Sequence, residues 1–388
     1  MIDIIRIKNF KSIVDLTLDL GRFNVIIGAN GCGKTNILEA ITFASAASQG
    51  KLDAEYLANR DIRVSDPQFM FNAFEEDENN TDNQSMPLIV VDVTSRSKLN
   101  TNIVIGYAEQ VKKWVNFADV TDKFRIQRAL ELFEQHSGKT IDILHNDHID
   151  IAELDKTNPD VYTILKQTLI DKPELSSFVT YRPSEGHLRK TFESNMFPFG
   201  IKGEGLLRYL KELDSESLGL FSEINNGLHL LDWFDEFSIP EGLLSNEYAL
   251  SIGDKYLKES MHSFDQRSTN EGFLYLLFYL TLFNSKDTPQ FFAIDNIETS
   301  FNPKLCTKLT EYLIQSSVKN DKQVILTTHS PYVLDGLDLS NNDVRLFVAR
   351  RNIDGHTRLE RIEYRENRSM LLSELWMSGL IGGLPNNF

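Results

Sequence analysis

Residues 23–40 read FNVIIGANGCGKTNILEA, and the order of residue types within them decides the fold. Phe23 to Ile27 is a short apolar, β-branched run, Gly28 to Gly33 is a glycine-bearing loop, and the residues from Lys34 onward read as a helix. Strand, tight loop and helix in that order make a phosphate-binding loop. Gly28, Gly31 and Gly33 let the backbone turn its amides inward with no Cβ in the way, and the helix beginning near Lys34 adds the positive end of its dipole. Lys34 supplies a full charge for terminal phosphates, and the Thr35 hydroxyl is placed to ligate magnesium. The spacing GxxxxGK[ST] arises by chance, but seldom between a buried strand and a helix.

Immediately upstream, residues 3–9 and 14–20 alternate as strands do, with Ile5 and Ile7 in the first and Val14, Leu16, Leu18 and Leu20 in the second. Three strands therefore open the chain. Downstream, Ile37, Leu38, Ile41 and Phe43 continue the helix, which fades at Ser48, Gln49 and Gly50. Phe69–Phe74 and Leu88–Val93 are two further strand-like runs around an acidic, polar segment that reads as a solvated hairpin or loop. Between about Lys98 and Asn246 the character changes to helical fragments: RIQRALELFEQH, DVYTILKQTLI, GEGLLRYLKEL and LHLLDWFDEF. No heptad repeat is sustained, so the span reads as a compact, mostly helical insertion. His145, Asn146, Asp147 and His148 lie among turn formers with no second ligand pair at zinc-like spacing, which favours a loop over a metal site.

In the last third the nucleotide-site pattern resumes. A polar segment precedes GFLYLLFYLTLF, a nearly all-round apolar and therefore buried helix whose amino end lies at Asn270–Gly272. In QFFAIDNIETSFNP, Phe291–Ile294 form a buried strand ending in Asp295, where a magnesium-bound nucleotide would meet an acid. A helix over 303–317 follows, then QVILTTHSP, a second buried strand ending at His329. Apolar strands that each end in a polar group and lead into a helix are what a parallel sheet with its site at one edge requires. Val344–Ile362 reads as a hairpin turning at Asp354 and Gly355, and the segment from Ser369 as a short amphipathic helix for packing on the core or docking to a partner.

The whole sequence sets bounds on these readings. Its 388 residues, 41% of them hydrophobic, suffice for a sizeable core. No stretch approaches the roughly 20 apolar residues of a membrane span, the longest being Gly272–Phe283. The start, MIDIIRIKNFKS, lacks a signal peptide's uniform apolar core. Cys32 and Cys306 alone imply no disulfide framework, so a reducing cytoplasm is the expected location. A formal net charge of −16 repels nucleic acid on average, so DNA contact would need a local basic patch or a cationic partner.

IRIKNFKS followed by GANGCGKT, the NEG segment before an apolar helix, the FFAID strand and the TTHSP strand together resemble the ATP-binding-cassette head of the SMC, RecF and OLD-nuclease group. The resemblance covers residues 1–48 and about 262–350. It implies an α/β head with a mostly parallel core sheet, antiparallel N-terminal strands and the helical insertion. The expected divisions are an N-terminal lobe over 1–97, the insertion over 98–246 and a C-terminal lobe over 247–388. It also implies ATP and Mg²⁺ as ligands. Gly28, Asn30, Gly31, Gly33, Lys34 and Thr35, with the adjoining Asn36, would form the Walker A site, and Asp295 with Thr35 would hold the metal. Asn270, Glu271 and Gly272 would be the signature segment, Thr299–Asn302 the D-loop and His329 the switch histidine. A magnesium-sensing glutamine is expected near the two middle strands, with Gln68 and Gln84 available. In this group two heads face each other, the signature of one meeting the γ-phosphate held by the other, so ATP should create a homodimer.

Departures from the group pattern shape the expected activity. Members usually carry a glutamate directly after the Walker B aspartate to polarise the attacking water, and this chain has Asn296. An amide cannot accept that proton, and losing a general base costs about 10²- to 10⁴-fold in rate. Glu298 alternates to the other side of an extended segment and substitutes only if the chain turns there. The C-terminal segment shows no DxD cluster of the Toprim nuclease type. The expectation is a slow ATPase without nuclease activity that acts as a nucleotide-switched scaffold for a separately encoded nuclease or toxin, as in bacterial defence loci. A RecF-like DNA-repair ATPase is the alternative, and a fast autonomous hydrolase is disfavoured by Asn296. Cys32 inside the loop raises redox control as a further, weaker reading.

Overall fold

A computed structural model describes residues 1–63, 65–73, 87–96, 100–109, 111–117, 174–190, 196–213, 218–244, 247–258, 261–366 and 370–384. The strand entering the phosphate loop, β3 (Phe23–Ile27), is buried at every residue. It lies inside a six-stranded sheet of order β13-β12-β3-β11-β10-β7. Its neighbours are β12 (Val344–Arg351) and β11 (Gln323–Thr327), followed by β10 (Phe291–Ile294) and the two-residue β7 (Thr180–Tyr181). All of these run parallel, and only the edge strand β13 (Thr357–Ile362) is antiparallel, closing the expected hairpin with β12. Strands covered on both faces need continuous apolar runs, and VII, FFAI and VIL supply them.

Alternation divides the sheet's side chains between two cores. Val25, Ile27, Phe292, Ile294, Val324 and Leu326 join one cluster, packed with α6 (Glu271–Asn284). Ile26, Ala293, Ile325 and Phe347 join the other, packed with α1 (Lys34–Ser48) and a second sheet. That sheet is antiparallel, in the order β2-β1-β4-β5-β6. It contains β1 (Ile2–Phe10), β2 (Ile13–Asp19), β4 (Ile89–Ser95), β5 (Asn100–Ala108) and β6 (Lys113–Asn116). With layers on both of its sides, α1 is buried from Ile37 to Ala47. The Gln323 side chain joins the two sheets: it accepts from the Ile2 amide at 2.9 Å and donates to the Ile2 and Gly21 carbonyls at 2.7 and 2.8 Å.

Several expectations for the middle of the chain are corrected. Residues 100–116 are not helical: Ile103 and Ile105 point into the core, and β5 and β6 extend the antiparallel sheet. Within the same span, β7 is part of the central sheet. LHLLDWFDEF does not stay helical. Its end is β8 (Phe234–Ser238), paired with β9 (Ser251–Asp254) through a register shift between Phe234 and Phe237, which gives a strand the three-residue apolar spacing of a helix. GEGLLRYLKEL does form a helix, α4 (Leu206–Glu212), and α5 (Leu218–Leu228) follows it onto α6. Instead of a strand from Phe69, Pro67–Phe69 form a single 3₁₀ turn. The fragments at 125–136 and 160–170, and residues 145–148, lie outside the described residues. The helix expected after β10 is α7 (Pro303–Lys319), α8 (Pro331–Leu334) follows β11, and the last expected helix is α9 (Leu372–Met377), whose Trp376 is buried against the core. Among the described residues no helix is long and apolar enough to cross a membrane.

Candidate functional site

The carboxyl ends of β3, β10, β11 and β7 deliver their following residues to one edge of the sheet. At β3 the loop's glycines are required by space as well as conformation. Gly28 has φ 148° and a Cβ there would collide with the Ala349 carbonyl, while Gly33 has φ 106° and would drive one into Thr357 Oγ1. The β12–β13 hairpin thus presses on the loop. It also holds it by hydrogen bonds: Arg351 Nε donates to the Gly31 carbonyl at 2.8 Å and Thr357 Oγ1 to the Cys32 carbonyl at 3.0 Å. Lys34 is buried and donates to the carbonyls of Gly28 (2.6 Å) and Ala29 (3.2 Å). Its burial lowers the ammonium pKa, against the opposing pull of Cys32, Asp295 and Glu298. Asn30 is exposed on the loop. Asn36 donates to Ser12 Oγ at 2.7 Å, and beside it a cavity of about 430 Å³ is lined by Lys11, Ser12, Arg63 and Arg351.

Asp295 follows β10 and gathers three side chains. Thr35 Oγ1 lies 3.5 Å from Oδ2, Arg182 Nε donates to the same oxygen at 3.0 Å, and Thr327 Oγ1 donates to Oδ1. Thr35 and Asp295, 260 residues apart, are thus brought together. A hydroxyl and a carboxylate are hard oxygen donors that suit Mg²⁺, which takes the rest of its shell from phosphates and water. No group of three or more His, Cys, Asp or Glu that would make an all-protein metal cage occurs among the described residues.

Asn296 has φ 59°, a left-handed backbone, and its amide donates to Thr327 Oγ1 at 3.0 Å. The chain therefore turns after Asp295 instead of running on extended, which is the condition set for Glu298. Its Oε2 accepts from Thr328 Oγ1 at 2.8 Å and its Oε1 from the His329 amide at 2.9 Å. Glu298 thus sits against the end of β11. Partial burial, and then the Lys34 ammonium, lower the His329 pKa from its ordinary range, so the imidazole is neutral at pH 7.

Asn270 caps α6, accepting from the Phe273 amide at 2.9 Å, and both Asn270 and Glu271 are exposed at that end. Gly272 is buried, with Ser300 packed over it, so the 270–272 segment and the 299–302 turn are neighbours. The preceding carbonyls are gathered by α3 (Glu185–Arg189): Arg189 Nη1 donates to those of Gln266 (2.9 Å), Arg267 (2.8 Å) and Thr269 (3.0 Å).

Gln68 is exposed and its amide turns to Asp66 at 3.3 Å, while Gln84 lies outside the described residues. The residue that the strand beside β10 delivers to Asp295 is Arg182. It was missed because β7 is two residues long, and the available signal was the run FVTY closed by an arginine. Arg351 and Thr357 were missed because they act on the loop through a hairpin that carries no motif.

The family model described as AAA domain, putative AbiEii toxin, Type IV TA system matches residues 23–335. Among curated proteins, the DNA replication and repair protein RecF of Glaesserella parasuis serovar 5 is 40% identical over 74 residues, 18% of this chain and 19% of that protein. An uncharacterized protein of Methanocaldococcus jannaschii is 45% identical over 51 residues, 13% of this chain and 23% of that protein. The matched part is therefore less than a quarter of either relative's length. Among solved structures, the SMC head bound to the C-winged helix domain of ScpA aligns with 93% of this chain and 98% of its own, at 14% identity and a TM-score of 0.49. The SMC head of Thermotoga maritima aligns with 94% and 99%, at 15% identity and 0.42.

Proposed function

The chain belongs to the AAA-domain family of putative AbiEii toxins of type IV toxin–antitoxin systems, and from that membership we propose that its ATPase site is a slow, nucleotide-operated switch. The observation that carries this reading is the meeting of Lys34, Thr35 and Asp295 at one sheet edge, with Asn296 where a general base would stand. Bound Mg²⁺ would offset the negative charge of the terminal phosphates. Thr35 and Asp295 would hold it. Lys34 would exchange the Gly28 and Ala29 carbonyls for phosphate, a better partner for an ammonium than a neutral carbonyl. Glu298, held by Thr328 and the His329 amide, would be the carboxylate to take a proton once released. Turnover is expected well below about 1 s⁻¹.

The exposed amino end of α6 offers backbone N–H groups and a helix dipole to an anion. We propose that the anion is the γ-phosphate held by a second copy, so that ATP and Mg²⁺ close a homodimer. A separately encoded effector, a nuclease or toxin of a bacterial defence locus, would read that closure. Light scattering of the wild type with Mg·ATP should give twice the monomer mass, with ADP the monomer mass, and Lys34→Ala should stay monomeric in both. ATP binding without any change of mass would overturn the closure.

The local identity to RecF favours a second reading, a DNA-binding ATPase of repair. Ionic strength separates the two. Two copies carrying −16 each repel, so salt should favour closure, whereas DNA held through phosphates should be released by it.

A further inference from the structure

We infer that Arg182 is a triphosphate sensor that guards the metal-binding carboxylate, an inference that rests on the nucleotide site proposed above. The position follows from the sheet. Tyr181 pairs with Ile294 in parallel register and the Asp295 amide donates to the Tyr181 carbonyl at 3.0 Å, so Arg182 and Asp295 emerge side by side. Arg182 Nε donates to Asp295 Oδ2 at 3.0 Å, and its Nη1 is paired with Asp61, just beyond the end of α2 (Ala54–Asn59). The Arg182 backbone amide donates to the Ile201 carbonyl at 2.9 Å, which fixes the main chain from which the side chain swings.

Two features make this more than a structural ion pair. First, the oxygen that the guanidinium holds is the one facing Thr35 Oγ1, so Arg182 and a metal shared by Thr35 and Asp295 compete for Oδ2. The Asp295 side chain is only 8% exposed, and a carboxylate so placed needs a cation at all times. Arg182 supplies it until the metal arrives. Second, a guanidinium has five donors and no acceptor and stays charged, so it cannot ligate the metal that displaces it. Nη1 stays with Asp61, and the Nε that leaves Oδ2 needs an oxyanion of its own within reach. The γ-phosphate of ATP is such an acceptor, and in ADP it is missing. Arg182 therefore couples metal entry to the presence of the third phosphate, and makes the site bind ATP in preference to ADP.

The test is the affinity of a fluorescent ATP analogue and of its ADP counterpart, each with Mg²⁺ and with a chelator, for the wild type, Arg182→Ala and Arg182→Lys. The wild type should prefer ATP when Mg²⁺ is present. Arg182→Ala should lose about 10- to 100-fold in ATP affinity, the range of a charge-assisted hydrogen bond. Its ADP affinity with Mg²⁺ should hold or rise, because the competitor for Oδ2 is gone. Arg182→Lys, with charge but no fork, should fall between them. An Arg182→Ala variant that keeps the wild-type ATP to ADP ratio, or loses both nucleotides equally, would overturn the sensor. A wild type that binds neither nucleotide would overturn the nucleotide site itself.

Discussion

In the proposed switch, Asn296 takes the position and Glu298 supplies the carboxylate that one glutamate would combine. At φ 59° the backbone of residue 296 is left-handed, which asparagine adopts far more readily than glutamate. That turn brings Glu298 to Thr328 and His329. Reading the segment as an extended continuation of β10 could not find this, because left-handed residues other than glycine leave only a faint trace in sequence. Asn296→Glu should raise single-turnover ATP hydrolysis about tenfold or more while lowering stability to denaturant by about 1 kcal/mol. Glu298→Gln should leave the rate of that variant nearly unchanged. If Asn296→Glu has no effect and Glu298→Gln alone removes the activity, the base is Glu298 and the chain is an ordinary hydrolase.

Among the elements, those buried on all sides were legible, and the shortest ones were not. Strands β3, β10 and β11 are continuous apolar runs between breakers, and α6 is apolar all round, so each admitted one interpretation. The opposite holds for β7, whose two residues gain their meaning from β10 alone, and for β8, whose register shift imitates a helix. Helix α3 is five residues long with one buried apolar side chain, so nothing in its composition announces that it organises the approach to α6. Arg189→Ala should leave the carbonyls of Gln266, Arg267 and Thr269 without their shared donor. Amide hydrogen exchange over residues 266–272 should then quicken about tenfold, with little change in β3 or α1. Unchanged exchange there would mean that the segment is held by α6 itself. Since Arg182 and Arg189 stand at the two ends of one short stretch, movement of the first should be felt at the second.

At the scale of the molecule, two apolar cores face each other across one sheet, and the antiparallel layer is tied to that sheet by the buried Gln323 side chain, by the Ser12–Thr357 pair and by Asp19 with Arg345 and Arg361. Gln323→Leu is nearly isosteric but takes the Gln323 side chain away from the Ile2 amide and carbonyl, while the Gly21 carbonyl keeps Asn24 Nδ2. Denaturant unfolding should show a loss of about 2–4 kcal/mol, since each buried polar group left unpaired costs about 1–3. A loss within about 0.5 kcal/mol, the range of an ordinary surface change, would show that β1 is held by its own strand partners instead. The placement of β3 between β11 and β12 has a further consequence. Its flanking strands are made about 300 residues after it, which at about 5–20 residues per second is roughly 15–60 s of translation. For that interval Val25, Ile26 and Ile27 have no sheet to enter, so the nascent chain leaves the ribosome with the strand that will lie inside the sheet still a sticky ribbon, and its yield in the cell should depend on chaperones that shield it.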